Sequence, residues 1–142
     1  MGCCDIFEKF QVDRFVVFES QDWLVAVRHK QITLGSCVVI LKRHCLRFGE
    51  LTAGECEGLH EVYSRYEDIL ISAFAPVSFN YLGLMMKDPH VHFHAIPRYS
   101  RPVDFAGRAW VDDAFPESVS MKQELEPEAT RQLIKARLTS VG

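Results

Sequence analysis

The sequence predicts a single antiparallel α+β domain, and three observations carry that reading. Short apolar runs bounded by polar turns recur before residue 45 and again between 78 and 97. One long segment between them repeats its apolar residues at helical spacing. At 142 residues the chain is long enough for one hydrophobic core. The domain is therefore expected to span 1–142, with a core at about 5–98 and a C-terminal extension at 99–142.

Asp5 to Phe10 is expected to form a short helical turn. Phe15 to Glu19 and Trp23 to Arg28 read as strands joined by the polar turn Ser20-Gln21-Asp22. Gly35 ends the next loop, and Cys37 to Leu41 is a short apolar strand. Thr52-Ala53-Gly54-Glu55 is a capping box, in which Thr52 and Glu55 satisfy each other's backbone amides. The helix it opens places Leu59, Val62, Tyr63, Tyr66, Ile69, Leu70 and Phe74 on one stripe, with Pro76 just past its end. Ser78 to Met86 and His90 to Pro97 read as two strands joined by Lys87-Asp88-Pro89. Proline lacks an amide proton, so Pro89 suits a strand's start better than its interior. Beyond Tyr99 the composition is irregular until a last helix that begins near Pro127 and ends around Leu138. The stretch from Phe105 to Trp110 is expected either to cover a site or to strap the surface.

Composition excludes several classes of function. Hydrophobic residues make up 48% and charged residues 25%, close to the globular average. A net charge of -3 argues against a broad nucleic-acid surface, although a local site can still be positive. No apolar run is long enough to cross a bilayer and no secretory pattern is present, so a cytoplasmic protein without a membrane partner is expected. The five cysteines, Cys3, Cys4, Cys37, Cys45 and Cys56, are odd in number and irregularly spaced, as reduced thiols are. Met1-Gly2-Cys3-Cys4 resembles an acylation signal, but Ile6 stands where such a signal usually has serine or threonine, so an unmodified N-terminus is expected.

The chemistry concentrates at His90-Val91-His92-Phe93-His94. Side chains alternate faces along a strand, so the three histidines should line one face, about 6.6 Å apart. Val91, Phe93 and Ala95 would then face the main helix. Packing alone is a poor reason for three such rings, because valine or threonine would fill a strand better. Strand histidines can share a zinc ion, although a closed site needs a ligand from elsewhere. Neutral imidazole can also attack phosphorus to form a covalent phosphoramidate, while its neighbours donate to the phosphate oxygens. That last chemistry explains the spacing best, because it needs several imidazoles converging on one phosphate.

The stretch His90-Val91-His92-Phe93-His94-Ala95-Ile96, followed by Pro97-Arg98, resembles the signature of the histidine triad (HIT) superfamily. Asp5 to Phe10 resembles the opening segment of that family, and Leu34-Gly35 through Lys42-Arg43-His44 its central stretch. The resemblance implies a five-stranded antiparallel sheet with one long helix packed on it, usually paired as a homodimer. It implies hydrolase or nucleotidyl transferase chemistry at the α-phosphate of a nucleotide conjugate, such as a dinucleoside polyphosphate or a nucleoside phosphoramidate. By position His92 would be the nucleophile, with His90 and His94 orienting it and contacting phosphate or leaving group. Ile6 and Phe7 match positions that line the base pocket.

The sequence also departs from the family pattern. Ser36 stands where many members have a fourth histidine, and it could still hydrogen-bond a phosphate. Arg28 stands where relatives often have an Asp or Asn for the ribose, and it could pair with phosphate instead. The polar loop common before the triad is shortened to Met85-Met86-Lys87-Asp88-Pro89, which leaves Asn80 as the nearest amide. Asp5 and Glu8 stand where some relatives have zinc-binding cysteines, so no cofactor is expected to be required and structural zinc is disfavoured. Two other readings stay open at this stage. One is a catalytically weak nucleotide-binding or regulatory protein; the other is a metalloprotein built on the three histidines.

Overall fold

The computed structural model describes residues 5–141. Gly2, Cys3 and Cys4, and with them the expectation about the N-terminus, lie outside the described residues. Two short helices, α1 (Ile6–Lys9) and α2 (Val12–Phe15), lead into strands β1 (Val16–Glu19), β2 (Trp23–Val27) and β3 (Cys37–Leu41). The long helix α3 (Ala53–Phe74) is followed by β4 (Ser78–Leu82) and β5 (His92–Arg98). A hairpin of β6 (Val103–Phe105) and β7 (Arg108–Trp110) and a final helix α4 (Glu128–Val141) complete the chain. The first five strands form one antiparallel sheet in the order β1-β2-β3-β5-β4. This is the α+β class and the sheet that the sequence predicts.

Period-two alternation divides the sheet into two apolar faces. Trp23, Val25, Val39, Leu41, Phe93 and Ala95 pack with Val62, Tyr66 and Leu70 of α3 in one core. Leu24, Ala26, Val38 and Ile40 pack on the other face with Ile6, Phe10 and Val12 of the N-terminal helices. His92 pairs across to Ile40, and His94 to Val38, so both imidazoles stand on this second face.

The long helix begins where its capping box dictates. Thr52 accepts from the Glu55 amide at 3.1 Å, and Glu55 accepts from the Thr52 amide at 2.8 Å. Glu55 also pairs with Arg43 at 2.6 Å, which ties the helix start to the chain beyond β3. Gly35 lies where α3 presses closest to the sheet. Its φ is +92°, and a Cβ there would stand 2.4 Å from Leu70 Cδ1. The Tyr66 hydroxyl donates to the Gly35 carbonyl at 2.8 Å.

Besides the unforeseen β6–β7 hairpin, three elements differ from the sequence reading. α2 was not foreseen, because four residues carry too short a pattern. β4 ends at Leu82 rather than Met86: Gly83 interrupts the apolar run, and Met85 takes φ +61°, which no strand accommodates. β5 begins at His92 rather than His90. The Val91 amide is taken by the Cys45 carbonyl outside the sheet, so regular pairing starts one residue later.

The hairpin beyond 98 does not line the histidine cavity of its own chain; it lies on the surface, with Ala106 to Ala109 exposed and its flanking aromatics turned to the α3 core. Phe105 packs on Phe74 of α3 at 5.1 Å between ring centroids, on the side away from the histidines. Trp110, Ile134 and Leu138 join the α3 core. No helix among the described residues is long and apolar enough to cross a membrane.

Candidate active site

A cavity of about 330 Å³ opens over the histidine face of the sheet. His92 and His94 form its floor, with their ring centroids 5.3 Å apart and nearly perpendicular. α1 contributes Lys9 and Phe10, and the end of β2 contributes Arg28, His29 and Lys30. The segment after β4 contributes Leu84 through Asp88, and Met121 arrives from the chain before α4. That last approach is held by the Glu126 amide, which donates to the His29 carbonyl at 3.1 Å, and by Arg131, which reaches Gln11 at 2.8 Å.

Hydrogen-bond partners assign the imidazole tautomers, because a carbonyl can only accept. His92 Nδ1 lies 2.7 Å from the His90 carbonyl and must donate to it. In the neutral ring this leaves the lone pair on Nε2. Arg28 Nε donates to His94 Nδ1 at 3.2 Å, so neutral His94 carries its proton on Nε2. The two rings therefore differ in role: one offers an electron pair and the other a donor.

Burial keeps these rings neutral. Desolvation pushes the His92 pKa below its ordinary value, against the opposing effect of the bond to the His90 carbonyl. Burial, reinforced by the Arg28 charge, lowers His94 to about 3. His29 is lowered to about 4 by burial first and by Arg28 next, and its Nδ1 is buried without a hydrogen-bond partner. Arg28 itself falls to about 10 through burial and remains charged at neutral pH.

The net charge of the chain is -3, yet the cavity is positive. Lys9 pairs with Asp88 at 2.6 Å, and Arg28, Lys30 and Lys87 remain as further cations on its lining. Such a site suits an anion. Arg28, expected among the ligand contacts, lines this cavity, with its guanidinium buried between His94 and the Lys30 carbonyl, 2.7 Å away.

Several expected site residues lie elsewhere. His90 is fully buried and does not line the cavity: its Nε2 donates to the Leu41 carbonyl at 2.6 Å, and its ring meets Phe7 edge-on at 5.4 Å. Its link to His92 is through its backbone. Phe7 therefore packs on His90 instead of facing the cavity, and Ile6 is a core residue, 1% exposed. Ser36 is fully buried in its own loop, with Oγ donating to the Thr33 carbonyl at 2.8 Å and accepting from the Thr33 amide at 3.1 Å. Asn80 accepts from Arg98 at 2.7 Å and belongs to a buried cluster with Asp112.

Other lining residues escaped the sequence reading. Phe10 was accessible in principle, since it stands one helical turn after Ile6. His29 was obscured because alternation fails where β2 ends. Met121, distant in sequence from every other lining residue, carried no local signal. Among the described residues, no group of three or more His, Cys, Asp or Glu side chains is arranged to hold a metal ion.

The depressed pKa values predict a pH dependence of stability. In the unfolded chain each histidine takes a proton near 6.5, whereas folded His29 does so only near 4 and His94 near 3. The unfolded state therefore binds more protons in this interval. The histidine contribution is complete above pH 6.5 and is lost as pH falls toward 4 and 3. Glu55 acts lower: its hydrogen bond with Arg43 holds its carboxyl at about 2, so its contribution begins to fall only below about 4.5. Thermal unfolding should thus show a decline between pH 6.5 and 4.5 that His29→Asn reduces. A flat profile in that window would contradict the buried neutral rings.

No protein-family model matches the sequence, and no curated protein matches it significantly. Solved structures do. A hypothetical histidine triad nucleotide-binding protein from Sulfolobus tokodaii superposes with a TM-score of 0.73 at 16% identity, covering 98% of this chain and 89% of that one. A zinc-bound histidine triad family protein from Mycobacterium smegmatis gives 0.66 at 16% identity, covering 99% and 97%. A HIT family protein from Bacillus anthracis gives 0.59 at 28% identity, covering 68% and 72%. The fold is the histidine triad fold. In this chain the run His90-Val91-His92-Phe93-His94 leads into β5 of that fold.

Proposed function

We propose that the protein is a nucleotide hydrolase or nucleotidyl transferase of the histidine triad type, acting at the α-phosphate of a nucleotide conjugate through His92. The observation that carries this reading is the tautomer of His92, whose Nδ1 proton is engaged by the His90 carbonyl while Nε2 is free to attack. In the first step the Nε2 lone pair forms an N–P bond. The bond from phosphorus to the leaving group breaks, and the leaving group departs with that electron pair and takes a proton from water. His94 Nε2–H and the cations of the cavity stabilise the oxyanions of the transition state. In the second step water attacks phosphorus, the N–P pair returns to Nε2, and the proton of the water is released.

In this reading His92 is the nucleophile, His94 the phosphate donor, and His90 positions His92 through its carbonyl. Arg28 fixes the His94 tautomer and adds positive charge. No cofactor enters the proposed chemistry. The homodimer implied by the resemblance belongs to the same proposal, with β1 and β4 as the two edges of the main sheet.

One observation favours a second reading, a nucleotide-binding or regulatory protein of weak turnover. Leu84, Met85 and Met86 line the cavity where a catalytic site would profit from polar groups around the leaving group. Intact-mass spectrometry separates the two readings. Mixing the protein with an adenosine phosphoramidate or a dinucleoside polyphosphate, quenched without acid, should yield a nucleotidyl adduct together with released product. Thermal stabilisation without adduct or product would select the binding protein.

A further inference from the structure

The buried arginines of this chain are neutralised in different ways. Arg98 has a carboxylate of its own, donating to Asp112 at 2.7 Å with both side chains almost fully buried. Arg131 has none, but its guanidinium is taken up by Gln11, the Glu126 carbonyl and the Phe15 ring. Arg28 differs from both. It is 7% exposed, and among the described residues it makes no ion pair with any carboxylate. Nε donates to His94 Nδ1 and Nη1 to the Lys30 carbonyl, both neutral acceptors. Nη2 has no hydrogen bond among the described residues. Burial without a counter-ion is costly for a guanidinium, and desolvation accordingly lowers its pKa to about 10. Such a group is built to meet an anion that comes from outside.

The reacting phosphate does not account for it. His94 holds Nε2–H for that phosphate and Nδ1 for Arg28, and these nitrogens point to opposite sides of the ring. Arg28 Nε is therefore two hydrogen bonds and a ring away, about 7 Å, from an oxygen held by His94 Nε2. Positive charge continues on this far side. Lys30 lines the same cavity and has no ion-pair partner among the described residues. His29 feels the crowding, since Arg28, Lys9 and Lys30 all oppose its protonation. Beside these cations stand the rings of Phe10 and His29, 4.7 Å apart and nearly perpendicular, which suit contact with a base. Aromatic surface and a second cationic locus thus lie together where β2 ends.

We infer that Arg28 and Lys30 bind a second phosphoryl group carried on the sugar, so that this site takes nucleotide conjugates with a 2′- or 3′-phosphate in preference to those with free hydroxyls. The inference rests on the proposed function and names its substrate class. A phosphate ester accepts from Arg28 Nη2 and from the Lys30 ammonium at once, in charge-assisted bonds. A sugar hydroxyl offers the same cations only a neutral acceptor and leaves Arg28 without a counter-ion. The flank decides where the second phosphate is attached. A further phosphate on the 5′ chain travels with the leaving group, in line with the attacking His92 Nε2 and away from it. A phosphate on the sugar stays with the base, beside Phe10 and His29. The distance from His94 Nε2 to Arg28 is of the order that one ribose sets between its own two phosphates.

Calorimetric titration of the full chain tests this with adenosine 5′-phosphate, adenosine 5′-diphosphate and the 2′,5′- and 3′,5′-bisphosphates of adenosine, and with the uridine series in parallel. One bisphosphate should bind at least about tenfold more tightly than the 5′-phosphate, and more tightly than the diphosphate. In Lys30→Gln the advantage over the 5′-phosphate should fall below about threefold, and in Arg28→Gln it should vanish. Lys30 is partly exposed, which keeps its variant informative about binding, and circular dichroism checks that both variants are folded. Equal affinity for the 5′-phosphate and both bisphosphates, a diphosphate that binds as tightly as either, or an advantage unchanged in Lys30→Gln would each overturn the inference. Adenosine 5′-phosphoramidates with and without the preferred sugar phosphate, followed for product, separate this failure from that of the proposed function. A binding preference without turnover sinks the catalysis and keeps the second phosphate; turnover without preference does the reverse.

Discussion

On the proposed function, His92→Ala should lower turnover of a nucleotide conjugate by at least about a thousandfold and abolish the covalent adduct. A thousandfold loss corresponds to about 4 kcal/mol of transition-state stabilisation. The reason is specific to one atom. On the tautomer set by the His90 carbonyl, Nε2 is the unprotonated nitrogen of His92, a residue that lines the cavity, whereas Nδ1 of His94 is occupied by Arg28. His94 therefore cannot stand in as nucleophile without first losing its bond to Arg28. His92→Asn is the informative companion, since its amide can still donate to the His90 carbonyl and preserve the local structure. Both variants should bind nucleotide yet form no adduct. An adduct surviving on either would move the nucleophile elsewhere and overturn the assignment.

Gly35→Ala should destabilise the fold by about 2–4 kcal/mol, lowering the unfolding midpoint by about 10 °C. Two causes act together there. The backbone has φ +92°, and the added Cβ would lie 2.4 Å from Leu70 Cδ1, so that this fully buried side chain must shift within the core. Gly107 separates the causes, because its φ of +78° is similar but nothing lies within 4 Å of its Cβ position. Gly107→Ala should therefore cost only about 1 kcal/mol, the conformational part. Equal losses at the two positions would show that the close approach of α3 to the sheet does not govern stability at Gly35. The prediction bears on the site too, since this region of the sheet carries β3 beside the triad strand.

Much of the architecture was legible because it is local. The capping box at Thr52 and Glu55 marked the start of α3, since both partners lie within one turn. Cys37–Leu41 was legible as a strand because five consecutive apolar residues rich in branched side chains suit a sheet buried on both faces. The separation of His92 and His94 from Phe93 and Ala95 followed from alternation alone. Alternation also held at His90, whose ring meets Phe7 on the α1 side while Val91 joins the α3 core, although the strand itself begins only at His92. The apolar run misled at Met85 and Met86, because it continued while the strand did not.

What the sequence determined by itself was the set of elements, the sheet-and-helix class and the strand that carries the imidazoles. These rest on interactions between residues a few positions apart. Only the tertiary structure decided the composition of the site. Met121 reaches the cavity through the packing of α4 and the bond between Glu126 and His29; Arg28 finds His94, 66 residues further along the chain, because β2, β3 and β5 align. Ser36 is withdrawn into its loop by Thr33, while His90 contributes a carbonyl where a ring was expected. Protonation state, tautomer and cavity wall are properties of what surrounds a side chain in space, and no local period encodes those surroundings.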